Sequence, residues 1–195
     1  KYGGTIDKFV GDAILIFFGD PETKGDKKDA YSCVLMALEM QERMHHLKNL
    51  WEGQGITNPL EIRIGINTGY CNVGNFGSEN RLDYTIIGGE VNLASRLESN
   101  AMTGQILISQ ETYALIKKHI VCEKKDEIKV KGIAHKIQTY QVVGSYKNIA
   151  QKRKILNEKF DGFNLNIDLN ISKKNKVITS LENTLKQLKK DEKSN

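Results

Sequence analysis

Two runs of strand-like residues, Thr5 to Val10 and Ala13 to Phe18, are separated by only Gly11-Asp12. The first alternates apolar and polar side chains, and the second is apolar throughout. A two-residue link is too short for a crossover, so the runs can pair only as an antiparallel hairpin with Gly-Asp at its tip. Gly19-Asp20-Pro21 then stops the second strand. A chain that opens on a hairpin and continues in helical periodicity is confined to mixed architectures.

The helical periodicity follows at once. Asp26 or Asp29 can cap a helix running to about Gly53, with Ala30, Val34, Ala37, Leu38 and Met44 on its apolar stripe. Leu60 to Asn67 alternates again and predicts a strand. Thr68-Gly69 and Gly74-Asn75-Phe76-Gly77 are expected to punctuate a second hairpin. Leu82 to Ile87 reads as a short strand ended by Gly88-Gly89. A helix is expected over Glu90 to Glu98, with Val91, Ala94 and Leu97 inward. Gln105 to Ser109 reads as a strand, and Ser109 caps a helix to about Lys118. Glu127 to Val130 and Lys136 to Val143 are expected as final strands. The pattern implies an α+β fold, a sheet covered by helices on one face.

Composition shifts after Ser145. Lys1 to Tyr146 holds 17 basic and 18 acidic residues, whereas Lys147 to Asn195 holds 12 basic and 6 acidic. The net charge of +5 is therefore a property of the tail, which argues against a nucleic-acid face on the main domain. Two domains are expected, 1–146 and a basic extension, 147–195. Within the extension, Phe163 to Ile171 alternates strictly and predicts one strand with a single buried face. Asn175 to Lys190 places Ile178, Leu181, Leu185 and Leu188 at helical spacing. The last residues are expected to be disordered.

No apolar run is long enough to span a bilayer. The sequence starts on Lys1 within what reads as a structured region, so a fragment of a longer protein is expected. Cys33, Cys71 and Cys122 are widely spaced and odd in number, as reduced thiols of a cytosolic protein would be.

Chemistry concentrates in two segments, Gly3 to Asp12 and Arg81 to Glu98. Asp12 sits where a hairpin would hold a carboxylate exposed and rigid. That suits Mg²⁺, which takes one or two carboxylates and completes its shell with phosphate and water. Gly-Asp is equally an ordinary turn-former. Lys8 lies within the first strand, where a solvated edge charge is the plain alternative. Regular alternation would aim Asp7 at the strand face opposite Lys8. Gly88-Gly89 ends a strand and opens a helix, where backbone N–H groups and the helix dipole favour anions. Asn92 and Arg96 are one helical turn apart and can share a phosphoryl oxygen. The alternative for Arg96 is a surface ion pair with Glu98 or Glu90.

Taken together, the blocks Gly-Gly-Thr-Ile-Asp-Lys-Phe-Val-Gly-Asp (3–12), Arg-Ile-Gly-Ile-Asn-Thr-Gly (63–69), Gly-Asn-Phe-Gly-Ser (74–78), the 81–98 segment and Val-Lys-Gly (130–132) resemble the class III adenylate/guanylate cyclase catalytic domain. The resemblance runs from Lys1 to about Val143. It implies a ferredoxin-like cyclase sheet, truncated at its N-terminus and followed here by a strand–helix tail. It matches Asp12 to the second of two metal-binding aspartates; the first lies on a strand upstream of this hairpin and outside this sequence. Lys8 and Thr85 match the purine-recognising positions, and lysine with threonine is similar to the ATP-selecting pair. Asn92 and Arg96 match the residues that orient the ribose and stabilise the transition state. Ile133 stands where many members carry the lysine that meets the triphosphate, so Lys131, or alternatively Lys129, is expected to serve there.

The resemblance implies an adenylate cyclase that turns ATP into cyclic AMP and pyrophosphate in intracellular signalling. It implies two Mg²⁺ or Mn²⁺ ions per site and a homodimer with sites at the interface, because one chain carries residues of both half-sites. A cytoplasmic location is expected, with membrane contact only through other parts of the parent. The fragment alone is expected to be weakly active or inactive. A guanylate cyclase and a catalytically silent dimerisation or nucleotide-sensing module are the alternatives.

Overall fold

The computed structural model describes residues 1–78, 81–130, 136–146, 149, 155–168 and 174–191. They fall into two compact units, Lys1–Ser145 and Tyr146–Asn195.

In the first unit the opening hairpin forms as its two-residue link requires: β1 (Thr5–Val10) pairs antiparallel with β2 (Ala13–Phe17). Gly11 takes φ +63° at the tip, a conformation open to glycine. The long helix α1 (Asp26–Gly53) follows. Neither Asp26 nor Asp29 is its N-cap; Gly25 is, without a side-chain bond. The Asp29 carboxylate instead accepts from Thr23 Oγ1 at 2.5 Å and from the Lys24 amide at 3.2 Å, bracing the approach to the helix. Both carboxylates still lie in the first turn, where the helix dipole favours them.

A four-stranded sheet forms the centre, in the order β3 (Ile64–Ile66), β6 (Ile106–Ser109), β8 (Thr139–Ser145), β7 (Ile120–Lys124). β3 and β6 run parallel, and β8 is antiparallel to both its neighbours. Every residue of β6 is buried, because both faces of the sheet are covered. Ile106 and Ile108 face Ala30, Val34 and Ala37 of α1 and Ile116 of α3 (Gln110–Ile116). Leu107, on the other face, packs with Leu93 and Leu97 of α2 (Gly89–Asn100). The expectation of helices on one face is thus corrected: α1 and α3 share a face, and α2 occupies the opposite one. Gly65 permits this packing. A Cβ there would lie 2.1 Å from the Glu98 backbone nitrogen and 2.3 Å from the Ala94 carbonyl oxygen.

Other expectations change in extent. The 60–67 strand is only β3, since Leu60 is exposed and, among the described residues, has no partner strand to alternate against. The Gly74–Gly77 block is not a turn. It lies inside β4 (Asn72–Ser78), which pairs along its full length with β5 (Arg81–Ile87). The 127–130 strand reduces to one bridge, Ile128 to Ile137. β7 carries too little alternation to be read in advance. Inward residues of α2 are Leu93 and Leu97, with Val91 and Ala94 half-buried. Ser109 caps α3 as expected, accepting from the Thr112 amide.

In the second unit, β9 (Ile155–Phe160) and β10 (Phe163–Asp168) form a hairpin with Phe160 and Phe163 stacked at 4.6 Å. β9 was hidden in the basic stretch. Residues 169–171, expected in the same strand as Phe163, lie outside the described residues, as do the last four, 192–195. The helix α4 (Lys174–Asp191) is present. Among the described residues no helix is long and apolar enough to cross a membrane.

Candidate functional site

The β1–β2 ladder is irregular at one point. Ile6 faces Ile16 and Lys8 faces Leu15, so Asp7 is an extra residue without a partner across the ladder. A bulge of this kind re-aims side chains. It overturns the expectation that Asp7 and Lys8 point to opposite faces. The Lys8 ammonium lies 3.7 Å from Asp7 Oδ1. Asp7 Oδ2 accepts a 2.7 Å hydrogen bond from Thr85 Oγ1. The Asp7 side chain is 2% exposed, Thr85 is 7% exposed, and the Lys8 side chain is 44% exposed. One buried carboxylate therefore ties together the two positions expected to read a purine. The same bond joins the β1–β2 hairpin to the β4–β5 hairpin, which share no ladder. A second tie runs beside it, from Tyr84 Oη to Asp20 Oδ1.

β5 passes through Gly88 into α2. Gly88 is the N-cap and supplies no side-chain bond to the first helical amides. The start of the helix is held from the side: Asn67 Nδ2 donates to the Glu90 backbone oxygen at 3.1 Å and to Glu90 Oε2 at 2.7 Å. Further along, Arg63 Nε meets Glu98 Oε1 at 2.5 Å. These contacts remove the two ion pairs open to Arg96 on its own helix. Both carboxylates that could have paired with it are engaged elsewhere. Among the described residues the Arg96 guanidinium makes no ion pair, and the Asn92 amide makes no hydrogen bond. Asn92 and Arg96, both exposed, line one open cavity of about 320 Å³ with Ser95 and Val130. An unpaired guanidinium and an amide one turn apart can grip an anionic oxygen and add charge-assisted bonds there.

Asp12 is exposed at the hairpin tip, with no hydrogen bond or ion pair among the described residues. Among those residues, no group of three or more His, Cys, Asp or Glu side chains could hold an ion. A single free carboxylate fits a hard divalent ion that draws its other ligands from phosphate and water, and it does not fit an all-protein cage. Asp7 differs from Asp12: its side chain is 2% exposed, Oδ2 accepts from Thr85 and Oδ1 stands 3.7 Å from the Lys8 ammonium. Lys131 lies outside the described residues.

Sequence reasoning missed Asp7. The signal was available in the adjacent Asp7-Lys8 pair, but strict alternation hid it; only the bulge brings the two side chains together. The thiols lie apart from these groups. Burial pushes Cys33 up to about 12 and Cys122 up to about 11, while Cys71 is exposed.

The adenylate and guanylate cyclase catalytic domain family matches residues 6–144. The chain is 35% identical over 146 residues to the terminal-differentiation specific adenylate cyclase of Dictyostelium discoideum, covering 72% of this chain and 7% of that protein. It therefore spans a small part of that relative's length. Among solved structures it is similar to the adenylyl cyclase CyaB from P. aeruginosa, with 62% identity, a TM-score of 0.72, and coverage of 75% of this chain and 74% of the other. It is also similar to the guanylyl cyclase Cya2, with 38% identity, a TM-score of 0.68, and coverage of 74% and 72%.

Proposed function

This chain belongs to the adenylate and guanylate cyclase catalytic domain family, and from that premise we propose that it is the catalytic domain of an adenylate cyclase, converting ATP to 3′,5′-cyclic AMP and pyrophosphate. The observation that carries this reading is the pairing of an uncommitted guanidinium with an amide on one helical turn. Asn92 and Arg96 share an open cavity while every nearby carboxylate on their helix is engaged elsewhere. Relatives named as adenylate cyclases support the choice of ATP, as does lysine with threonine at positions 8 and 85.

In the reaction the ribose 3′-hydroxyl gives its proton to solvent, its oxygen forms a bond to the α-phosphorus, and the bond from that phosphorus to the bridging oxygen of pyrophosphate breaks. Lys8 and Thr85 hold the adenine. Asn92 orients the ribose so that the 3′-hydroxyl lies in line with the leaving group. Arg96 balances negative charge that grows on the α-phosphoryl oxygens, an interaction stronger in the transition state than in bound ATP. Lys131 is assigned to the triphosphate. Asp12 would hold a divalent ion, Mg²⁺ or Mn²⁺. When bound, two such ions supply Lewis-acid activation of the 3′-hydroxyl and charge neutralisation on the triphosphate.

One chain carries both the hairpin carboxylate and the base, asparagine and arginine contacts, so two copies can complete two equivalent sites. Exposed apolar side chains on the two hairpins (Phe9, Val10, Ile14, Leu82 and Ile87) support a homodimer. A guanylate cyclase is the second reading, favoured by the likeness to Cya2. The test is direct: full-length protein incubated with ATP and Mg²⁺ or Mn²⁺ should release cyclic AMP and pyrophosphate in equal amounts. Pyrophosphate without cyclic AMP, or no turnover with either ion, would refute the proposal.

A further inference from the structure

We infer that Asp7 is a specificity-setting positioning residue: it fixes the hydrogen-bond polarity of Thr85, so that the pocket accepts the adenine edge and rejects the guanine edge. This deepens, and rests on, the reading of Lys8 and Thr85 as base contacts.

A threonine hydroxyl is ambivalent. It has one proton to give and two lone pairs to offer, and it rotates to suit its neighbour. An unrestrained Thr85 could therefore donate to the 6-oxo group of guanine as readily as it accepts from the 6-amino group of adenine. The structure removes that freedom. Thr85 Oγ1 gives its proton to Asp7 Oδ2 at 2.7 Å, inside a site where both side chains are almost fully buried. An ionised carboxylate only accepts, so Thr85 has no other role to take in that bond. What remains of the hydroxyl toward a ligand is its lone pairs. Lys8, whose ammonium stands 3.7 Å from the other Asp7 oxygen, is a donor with no acceptor capacity.

The pair thus presents one donor and one acceptor. Adenine offers the complement, an accepting N1 beside a donating 6-amino group. Guanine offers the reverse, a protonated N1 beside an accepting 6-oxo group, and would set donor against donor and acceptor against acceptor. Discrimination by unpaired polar groups in a buried site is far stronger than discrimination by fit alone. The bulge that singles out Asp7 is what makes this possible, because a regular strand would have turned the carboxylate away from Lys8.

The experiment compares kcat/KM for ATP and for GTP in full-length protein carrying Asp7→Asn. An asparagine in this place can turn its amide toward Thr85 and its oxygen toward Lys8, which frees the threonine proton. The ATP-over-GTP ratio should fall by roughly tenfold or more. In the Thr85→Val background the same substitution should leave the ratio unchanged, because the hydroxyl through which Asp7 acts is gone. Asp7→Ser provides a second variant, with the same expectation, should Asp7→Asn lower the melting temperature too far to assay. A role confined to stability would lower both substrates together and keep the ratio; that outcome, or an additive effect on the ratio in the Thr85→Val background, overturns the inference. Wild-type protein that prefers GTP would instead sink the underlying base-contact reading, and this inference with it.

Discussion

The two halves of the candidate site are built on opposite plans. On the proposed base side, Asp7, Lys8 and Thr85 close on one another around a buried carboxylate, which accepts from Thr85 and faces the Lys8 ammonium. On the proposed phosphate side, Asp12, Asn92 and Arg96 are exposed and engage no other described side chain. The difference follows from what each half would bind. A neutral base is told apart by the direction of its hydrogen bonds, which demands groups oriented in advance. A triphosphate is held by charge, and groups that stabilise growing charge do most when no internal partner competes for them.

The contrast is open to attack at several points. Its strongest consequence concerns Asp12→Ala. Among the described residues the tip carboxylate has no partner, so the variant should melt with the wild type yet lose metal-dependent turnover to background. A lowered melting temperature accompanying the loss would move Asp12 to the structural side. Next is Arg96→Ala, expected to lower kcat by about 10²- to 10³-fold with little change in the KM for ATP. An equal rise in KM without loss of kcat would make Arg96 a ground-state anchor.

A smaller effect is expected from Gly65→Ala. The new methyl group would collide with the backbone of α2 at Ala94 and Glu98, destabilising by about 1–3 kcal/mol. Thermal unfolding should shift by several degrees, and kcat should fall with it because Asn92 and Arg96 ride on that helix. Unchanged melting would show that α2 can float on the sheet. The smallest effect is chemical. Cys71 neighbours Gly88 on the open side and should alkylate fastest, whereas Cys33, pushed up to about 12 by burial, should resist at neutral pH. A raised thiol pKa in the folded state adds stability that is full below the unfolded value near 9 and is lost as pH rises through the folded value. Alkali above about pH 9 should therefore loosen the α1 core around Cys33, whereas acid has no effect through this thiol.

Much of this arrangement was legible from local chemistry. The two-residue link fixed the first hairpin, and the change of period at Gly88-Gly89 announced a strand feeding a helix. Helical spacing put Asn92 and Arg96 on one face, and only the resemblance to the cyclase family gave that face a role. What stayed hidden depended on partners distant in sequence. The bulge at Asp7 exists because of how β1 meets β2. The freedom of Arg96 was undecidable until Arg63 and Asn67 were seen to occupy Glu98 and Glu90. The second helical layer rests on Gly65, whose lack of a side chain carries no periodic signal. β9 was masked by Glu158 and Lys159 and by the basic run before it, which register as charge before they register as strand.

The most direct test of the whole account offers the full-length protein equal concentrations of ATP and GTP with Mg²⁺ in one reaction, and measures both cyclic products at early time. Cyclic AMP should exceed cyclic GMP by about tenfold or more. Equal amounts, an excess of cyclic GMP, or neither product would contradict it.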